Sequence, residues 1–325
     1  MKTVYTGLVG DIGGTNARLA VIDSAGRIRN PKTYPAEEYG SLTEVIAEYL
    51  ETTVGRQRLH NAVLAVAGPV VEGEIEFTNL DWRISEAELI GAFELHAVRL
   101  INDFAAQAMA APVLEPDDLR PIGEPRRGTE GAPMLVLGAG TGFGVALLAR
   151  TERGDVAVPS EGGHAAFAPY DSLEATIWES LRKTYGRVSI ERILSGPGLY
   201  ALYRGLAEVR GVAANLKDEK EVLAAGQQGE DLLADETLER FCEILGSVAG
   251  DIALTTGARA GVYVAGGIAP RLADRLASGG FRRRFEDKGR LSDFMRDIPT
   301  YLIVHPYAAL VGAARLLEQM ERSPL

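Results

Sequence analysis

Cysteine, positive charge and long uncharged segments are all scarce in this 325-residue sequence. Its one cysteine, Cys242, excludes an intramolecular disulfide and argues against a cysteine-based zinc site. Lysine and arginine number 34 against 45 aspartates and glutamates, which gives a net charge of -11. Such a surface repels phosphate backbones and anionic lipids. We therefore expect no nucleic-acid partner, no membrane partner and a reducing, cytoplasmic location.

Neither a signal peptide nor a membrane span is indicated by the apolar segments. The run at residues 4–9 is short and is followed at once by the charged Asp11. Residues 131–149 carry no charge and nearly reach the length of a transmembrane helix. Their density of glycine favours a strand, a turn and a second strand instead. These glycines are Gly138, Gly140, Gly142 and Gly144.

Strand-like and helix-like segments alternate along the chain, which predicts an α/β protein. Strands are predicted at residues 4–9, 17–22, 62–67, 98–101, 134–137, 145–148, 261–265 and 301–304. Helices are predicted at residues 42–50, 86–93, 104–111, 238–254 and 308–320, and a charged, solvated helix within 217–236.

The chain length favours two domains. Residues 112–133 contain five prolines, which cannot lie inside a helix and are typical of a connector. We therefore expect a small α/β lobe at residues 1–112 that is rejoined by a C-terminal helix at 303–325. Residues 113–302 form the predicted large α/β lobe.

Three glycine-rich turns each follow a short apolar strand, at residues 10–16, 138–144 and 266–267. In the first two, Gly10 aligns with Gly138, and Leu19 with Leu147, at one offset, which suggests a weak internal repeat. Glycine turns let backbone amides converge on an anion, and phosphate sites on open sheets tend to follow strands. Neither turn matches a P-loop or a dinucleotide fingerprint. A nucleotide site and a set of plain hairpins both fit this pattern.

Asp11 adds a carboxylate to the first turn. Beside phosphate-binding amides it would repel the ligand unless a cation lay between them, and Mg²⁺ commonly joins a carboxylate, waters and phosphate oxygens. A turn aspartate that hydrogen-bonds its own backbone is the alternative interpretation.

Residues 8–22, LVGDIGGTNARLAVI, resemble the first phosphate motif of bacterial glucokinases, which belong to the superfamily of sugar kinases, actin and heat-shock ATPases. Four further matches follow in order: INDF at 101–104, GAGTGFG at 138–144, EGGHAAF at 161–167 and SGPG at 195–198. The combination of INDF with EGGH is specific to glucokinase-like enzymes. No cysteine-rich zinc motif is present, so the resemblance is to the zinc-free branch and not to the repressor and open-reading-frame kinases (ROK).

The resemblance implies a two-lobed actin-like ATPase (ribonuclease H-like) fold with a central cleft. It also implies ATP-dependent phosphorylation of glucose to glucose 6-phosphate, with ATP and Mg²⁺ as cofactors, and a homodimer. Asp11 would bind Mg²⁺ through a bridging water. The implied nucleotide-binding residues are Gly10, Asp11, Ile12, Gly13, Gly14, Thr15, Gly138, Gly140, Thr141, Gly142, Gly266, Gly267 and Ile268.

Asn102 and Asp103 lie where a predicted strand ends and a predicted helix begins. A helix N-cap would explain the aspartate, but active sites also form at the carboxyl ends of strands. By resemblance, Asp103 is the catalytic base for the 6-hydroxyl of the sugar. The implied glucose ligands are Asn102, Asp103, Glu161, His164, Glu191 and Asn79. For Glu191 a place in the first turn of a helix is the alternative, and for Asn79 a structural turn.

Three other functions compete with a glucokinase. A filament or chaperone ATPase of the same superfamily needs no sugar pocket, so the implied sugar ligands argue against it. A sugar-sensing repressor conflicts with the acidic net charge. A broader-specificity hexokinase, or another sugar kinase, stays open, as do the sugar range, the choice between ATP and polyphosphate, and the oligomeric state.

Overall fold

The computed structural model describes residues 4–55, 57–77, 80–152 and 154–322. The strands in chain order are β1 (Tyr5–Ile12), β2 (Asn16–Asp23), β3 (Ile28–Pro35), β4 (Asn61–Val66), β5 (Glu74–Glu76), β6 (Arg83–Ser85), β7 (Ala97–Asn102), β8 (Leu119–Pro121), β9 (Met134–Ala139), β10 (Phe143–Thr151), β11 (Gly154–Ser160), β12 (Gly261–Ala265) and β13 (Thr300–Ile303). The helices are α1 (Leu42–Thr53), α2 (Glu86–Phe93), α3 (Asp103–Ala110), α4 (Ser172–Tyr185), α5 (Gly196–Arg210), α6 (Glu219–Gln228), α7 (Leu232–Thr256), α8 (Ala273–Ala277), α9 (Gly280–Glu286), α10 (Ser292–Arg296) and α11 (Ala308–Arg322).

The chain divides into two compact units. Unit 1 comprises Met1–Leu114 together with His305–Leu325, and unit 2 is the continuous stretch Glu115–Val304. Unit 1 is therefore discontinuous in sequence. The domain limits expected from the proline-rich stretch stay a prediction, because compactness alone does not show that a unit folds independently.

Unit 1 is built on a five-stranded sheet in the order β3-β2-β1-β4-β7. The first three strands are antiparallel, whereas β4 and β7 run parallel to β1. Helix α11 covers β1 and β4 through a cluster that includes Val9, Val63 and Leu310. It also packs closely on α3: a Cβ at Gly312 would lie 1.6 Å from the carbonyl oxygen of Ala106, so only glycine fits there.

Unit 2 contains a six-stranded sheet in the order β11-β10-β9-β12-β13-β8. Again three antiparallel strands, β9 to β11, adjoin two strands parallel to β9. The long helix α7 is part of the core, which includes the fully buried Phe241, Phe281 and Phe285. Cys242 lies in this core, and burial raises the pKa of its thiol to about 12, so the thiol stays protonated and unreactive.

Two of the predicted segments differ from the structure. The first turn is shorter than residues 10–16, because β1 extends to Ile12 and β2 begins at Asn16. The charged segment 217–236 is not one solvated helix: α6 ends at Gly229, which has a left-handed φ of 69°, and α6 buries Val222 and Leu223. A glycine stop and an apolar face outweigh the local density of charge.

Among the described ranges, no helix is both long enough and apolar enough to cross a membrane.

Candidate active site

The turn between β1 and β2 presents free backbone amides. It is closed by the Gly13 N–H, which donates to the Asn16 carbonyl at 2.9 Å, and it is held from outside by the Ala36 N–H, which donates to the Thr15 carbonyl at 2.9 Å. The N–H groups of Gly14 and Thr15 have no acceptor in the part of the chain that the structure describes. Two adjacent free amides suit an anion such as a phosphate.

The preceding motif residues have a different backbone role. Gly10, Asp11 and Ile12 lie within β1, where each is paired with both β2 and β4. Their backbone therefore supports the turn from inside the sheet, and of the three only Asp11 has a side chain available for polar contacts, since Ile12 is buried in the core.

Asp11 forms an ion pair that sequence reasoning missed. Arg18 is its partner across the β1–β2 hairpin, and Arg18 Nη1 donates to Asp11 Oδ2 at 2.8 Å. The cation expected beside Asp11 is therefore supplied at least in part by the chain itself. The available signal was the hairpin register, which places residues at equal distances from a turn opposite each other. No group of three or more histidine, cysteine or acidic side chains suited to a metal occurs among the described residues.

Asn102 ends β7 and caps α3. Its Oδ1 accepts from the N–H groups of Phe104 at 3.0 Å and Ala105 at 3.2 Å, and its Nδ2 donates to the Gly68 carbonyl at 3.3 Å. The N-cap considered for Asp103 thus belongs to Asn102. With both acceptor positions occupied, Asn102 has only its second amide N–H to offer a ligand.

Asp103 is the first residue of α3, and its carboxyl has an altered acidity. The pKa of Asp103 is raised to about 6, chiefly by burial and also by the nearby charge of Asp11, while the hydrogen bond from the Phe104 N–H opposes both. That N–H donates to Asp103 Oδ1 at 2.9 Å. A general base works best with a pKa near the working pH, so this carboxyl is suited to accept a proton.

A second set of free amides lies in unit 2, at the turn between β9 and β10. The Gly140 N–H donates to the Gly142 carbonyl at 2.8 Å, and the Gly140 carbonyl accepts from the N–H of Gly196 at 2.8 Å. Over the described residues, the amides of Thr141 and Gly142 have no acceptor. This turn is therefore fixed to the start of α5 and can bind an anion in the same way as the first.

The third glycine turn packs directly against the second. Gly266 has a left-handed φ of 85°, and a Cβ there would lie 2.4 Å from the Ala139 carbonyl oxygen. The Ile268 N–H donates to that same oxygen at 3.2 Å. A Cβ at Gly138 would lie 1.9 Å from the Ala265 carbonyl oxygen. The nucleotide residues expected in this unit thus lie together, with Gly267 between Gly266 and Ile268, and a 3₁₀ turn at Ala269–Leu272 follows them.

Glu161 precedes a short 3₁₀ turn, Gly162–His164, and His164 is the last residue of that turn. Their side chains are 68% and 60% exposed, with His164 Nε2 3.9 Å from Glu161 Oε2. A Cβ at Gly163 would lie 2.3 Å from the Phe143 carbonyl oxygen, so the glycine lets this turn pack on β10. Two exposed polar groups are thereby held on a fixed backbone, where they can contact hydroxyls.

Glu191 joins the sugar motif to the phosphate turn. Its N–H donates to the Gly163 carbonyl at 2.9 Å, and its Oε2 accepts from the Phe143 N–H at 2.9 Å. Ser195 is the N-cap of α5, so Glu191 precedes the helix, and its alternative place in a first helical turn is wrong. The remaining expected sugar ligand, Asn79, lies outside the described residues.

The chain is similar to known glucokinases over nearly its whole length. A sequence profile of the glucokinase family matches residues 8–320. The chain is 51% identical over 314 residues to a glucokinase of Caulobacter vibrioides (strain NA1000 / CB15N), covering 95% of this chain and 94% of the relative. It is 48% identical over 317 residues to a glucokinase of Caulobacter sp. (strain K31), covering 97% and 95%.

The crystal structure of a glucokinase from an Antarctic psychrotroph has a TM-score of 0.88 and 40% identity, covering 96% of this chain and 98% of that one. The expected actin-like ATPase fold is confirmed by this likeness. A full-length family match, two relatives near 50% identity and a shared fold lead to one conclusion: the chain belongs to the glucokinase family.

Proposed function

We propose that this chain transfers a phosphoryl group from ATP to the 6-hydroxyl of D-glucose, yielding glucose 6-phosphate and ADP in the first step of glycolysis. The observation that carries the proposal is Asp103, a carboxyl with a pKa of about 6 at the end of a parallel strand. It occurs in a chain that belongs to the glucokinase family. A base of this kind is what a hydroxyl nucleophile requires.

Asp103 accepts the proton of the 6-hydroxyl as the hydroxyl oxygen bonds to the γ-phosphorus of ATP. The bond from that phosphorus to the β–γ bridging oxygen breaks, and ADP leaves with the electron pair. The second amide N–H of Asn102 donates to a sugar hydroxyl beside the base. Phe104, through its N–H bond to Asp103 Oδ1, directs the other carboxylate oxygen toward the substrate.

Glu161, His164 and Glu191 bind further hydroxyls of glucose. A sugar hydroxyl is both donor and acceptor, so a pocket needs fixed groups of both kinds. Carboxylates accept, and a neutral imidazole either donates or accepts. The bond from the Phe143 N–H occupies Glu191 Oε2 and leaves Oε1 for the sugar. Asn79 is proposed as an additional contact on resemblance alone.

The free amides of the glycine turns bind the phosphates of ATP. In unit 1 these are the amides of Gly14 and Thr15, and in unit 2 those of Thr141 and Gly142. Gly266, Gly267 and Ile268 are proposed to lie along the adenosine.

Asp11 is the carboxyl that would hold Mg²⁺, through a bridging water. Arg18 occupies Asp11 Oδ2 and leaves Oδ1 available. A single carboxylate fits a Mg²⁺ that otherwise takes waters and phosphate oxygens. When bound, this cation neutralises charge on the phosphates.

We also propose a cytoplasmic homodimer. The lone, buried Cys242 suits a reducing compartment. Strand β11 lies at the edge of its sheet and exposes Val156 and Val158, a surface of the kind that associates. Light scattering coupled to size exclusion should give twice the chain mass, and a single-chain mass at all concentrations would refute the dimer.

A coupled assay of ADP release over a panel of sugars tests the proposed function. Glucose should be strongly preferred, because a site built to bind a hydroxyl rejects an analogue lacking it by about 10⁴-fold in kcat/KM. Alanine at Glu161, His164 or Glu191 should lower the rate and flatten this preference. Comparable kcat/KM values for glucose, mannose and fructose would instead support a broader-specificity hexokinase. Polyphosphate in place of ATP in the same panel identifies the better donor.

A further inference from the structure

A small polar cavity of about 80 Å³ lies in unit 2 beside the start of α5. Its lining includes Thr141, Tyr185, Glu191, Arg192, Ser195 and Pro197. Thr141 belongs to the glycine turn between β9 and β10, and Glu191 is a proposed sugar ligand. The volume has room for about two or three water-sized groups, which suits a phosphate group and is too small for a nucleobase.

The start of α5 is not itself the anion site in this cavity. The Gly196 N–H is bonded to the Gly140 carbonyl, and the Gly198 N–H to Ser195 Oγ at 3.0 Å. Pro197, between them, has no N–H. Ser195 Oγ in turn donates to the Glu191 carbonyl at 2.7 Å. The first amides of the helix are therefore occupied, and the cavity must obtain its positive charge elsewhere.

Arg192 is the cation of this cavity. Its guanidinium carbon lies 4.4 Å from the centroid of the Tyr185 ring, a cation–π contact that orders the side chain. Within the described ranges, its guanidinium makes no hydrogen bond or ion pair. Arg182 of α4 is different: it lies over Trp178 but is bound to Glu179 at 2.8 Å. Arg192 is thus held in place by a neutral ring and keeps its full charge for a ligand.

We infer that Arg192 binds an anionic oxygen of the phosphate chain of ATP, next to the free amides of Thr141 and Gly142. The inference rests on the proposed function and adds a residue to it. The guanidinium offsets the charge of Glu191, which lines the same cavity and would otherwise repel a phosphate. Since a fixed cation near the transferred group also stabilises charge on the leaving phosphate, both nucleotide affinity and rate depend on Arg192.

Three substitutions test this inference by steady-state kinetics and calorimetry. Arg192→Ala should lower kcat/KM for ATP by roughly 10- to 100-fold, the range of a lost hydrogen bond to a charged group, and leave glucose affinity unchanged. Arg192→Lys should recover part of this loss. Tyr185→Leu should give a smaller loss, because the guanidinium remains but is no longer ordered. Arg182→Ala is the matched control, which removes a stacked arginine outside the cavity and should have no effect.

Calorimetric titrations with ATP, ADP, AMP and adenosine, without sugar, separate this inference from the proposed function. The defect of Arg192→Ala should grow with the number of phosphates and vanish for adenosine. An enzyme that binds these nucleotides but does not phosphorylate glucose would refute the function and still test Arg192. Unchanged nucleotide affinity and kcat/KM in a folded Arg192→Ala variant would overturn the inference. An equal defect in Arg182→Ala, or one confined to glucose binding, would overturn it as well.

Discussion

The strand arrangement β3-β2-β1-β4-β7 of unit 1 recurs in unit 2 as β11-β10-β9-β12-β13. Each arrangement has a glycine turn between its two central antiparallel strands, and each turn leaves two amides free. The surroundings of the turns differ. At the offset that aligns Gly10 with Gly138, Asp11 and Arg18 correspond to two alanines. The shared backbone thus leaves two amides free in each hairpin, and, among the described residues, side chains form an ion pair beside the unit 1 turn alone.

The repeat also breaks down after the turn. Gly10 pairs with Leu19, but Gly138 pairs with Gly144, where a constant offset would place Leu147. The proposed match of Leu19 with Leu147 is therefore wrong in the structure, since Leu147 pairs with Leu135. The second hairpin is the tighter one, and a tight turn is what can pack against α5 and the third glycine turn.

The largest expected effect separates the chemical roles of the two units. Asp103→Asn in unit 1 should lower kcat by about 10²–10⁴-fold, the usual contribution of a general base, with glucose affinity nearly intact. Glu191→Gln in unit 2 should chiefly weaken glucose binding. Steady-state kinetics and calorimetry with glucose measure both. A normal kcat with only reduced thermal stability would mean that Asp103 stabilises the start of α3 and has no role in the chemistry.

The control for Asp103→Asn is how its activity and stability change with pH relative to the wild type. The pKa of Asp103 is raised from an ordinary 3.8 to about 6, so kcat/KM of the wild type should fall as the pH drops through 6. The folded state holds this proton more tightly than the unfolded state. As the pH rises from about 4 to 6, the wild type should therefore lose free energy of unfolding relative to Asp103→Asn. A stability difference that does not change over this range would contradict the raised pKa.

A second prediction compares the glycines that support the two turns. A Cβ at Gly138 would meet the backbone oxygen of Ala265, which cannot move aside, whereas a Cβ at Gly10 would meet the side chains of Leu64 and Leu19. Gly138→Ala should therefore lower the free energy of unfolding by about 3 kcal/mol or more, and Gly10→Ala should lower it by about 1 kcal/mol. These values are the two ends of the usual range for an overpacked core. Urea denaturation measures both. Gly140→Ala, with nothing within 4 Å of its Cβ, is the control, and equal costs at Gly10 and Gly138 would remove the distinction.

The smallest expected effect concerns the Asp11–Arg18 ion pair, whose aligned positions in unit 2 are alanines. Asp11→Ala should raise the KM for Mg²⁺-ATP about tenfold, the loss of one favourable contact of about 1.4 kcal/mol, and spare glucose binding. It should also shift the Mg²⁺ dependence of the rate, whereas Arg18→Ala should not. Identical defects in the two single variants and in the double variant would show that Asp11 acts only by pairing with Arg18. A comparable loss of glucose binding without nucleotide would contradict the assignment altogether.

Sequence patterns predict the glycine turns and the boundary between β7 and α3 at Asn102, because these features depend on local chemistry. Clustered glycines after a short apolar strand mark a turn, and Asn102 beside Asp103 marks a helix start whichever of them is the cap. The segment 217–236 shows the limit of this approach. Its charges are visible in the sequence, but the burial of Val222 and Leu223 depends on what packs against α6.

The features that could not be predicted depend on contacts between distant residues. The pairing of Arg18 with Asp11 requires the hairpin register, and the stacking of Arg192 on Tyr185 requires the path of the loop after α4. The raised pKa of Asp103 comes first from its depth, which composition does not reveal. Local patterns thus identify which residues are available, and tertiary packing sets their charge and partners.

The discontinuity of unit 1 has a consequence for synthesis on the ribosome. Helix α11 is translated only after all of Glu115–Val304, about 190 residues that take roughly 10–40 s at 5–20 residues per second. Throughout that interval the groove on α3 that accepts Gly312, and the sheet face around Val9 and Val63, lack their covering helix. Unit 2, though made later, is the first whose elements are all present. We therefore expect the nascent N-terminal third to expose apolar surface until α11 emerges, and Asp103 gains its final support last.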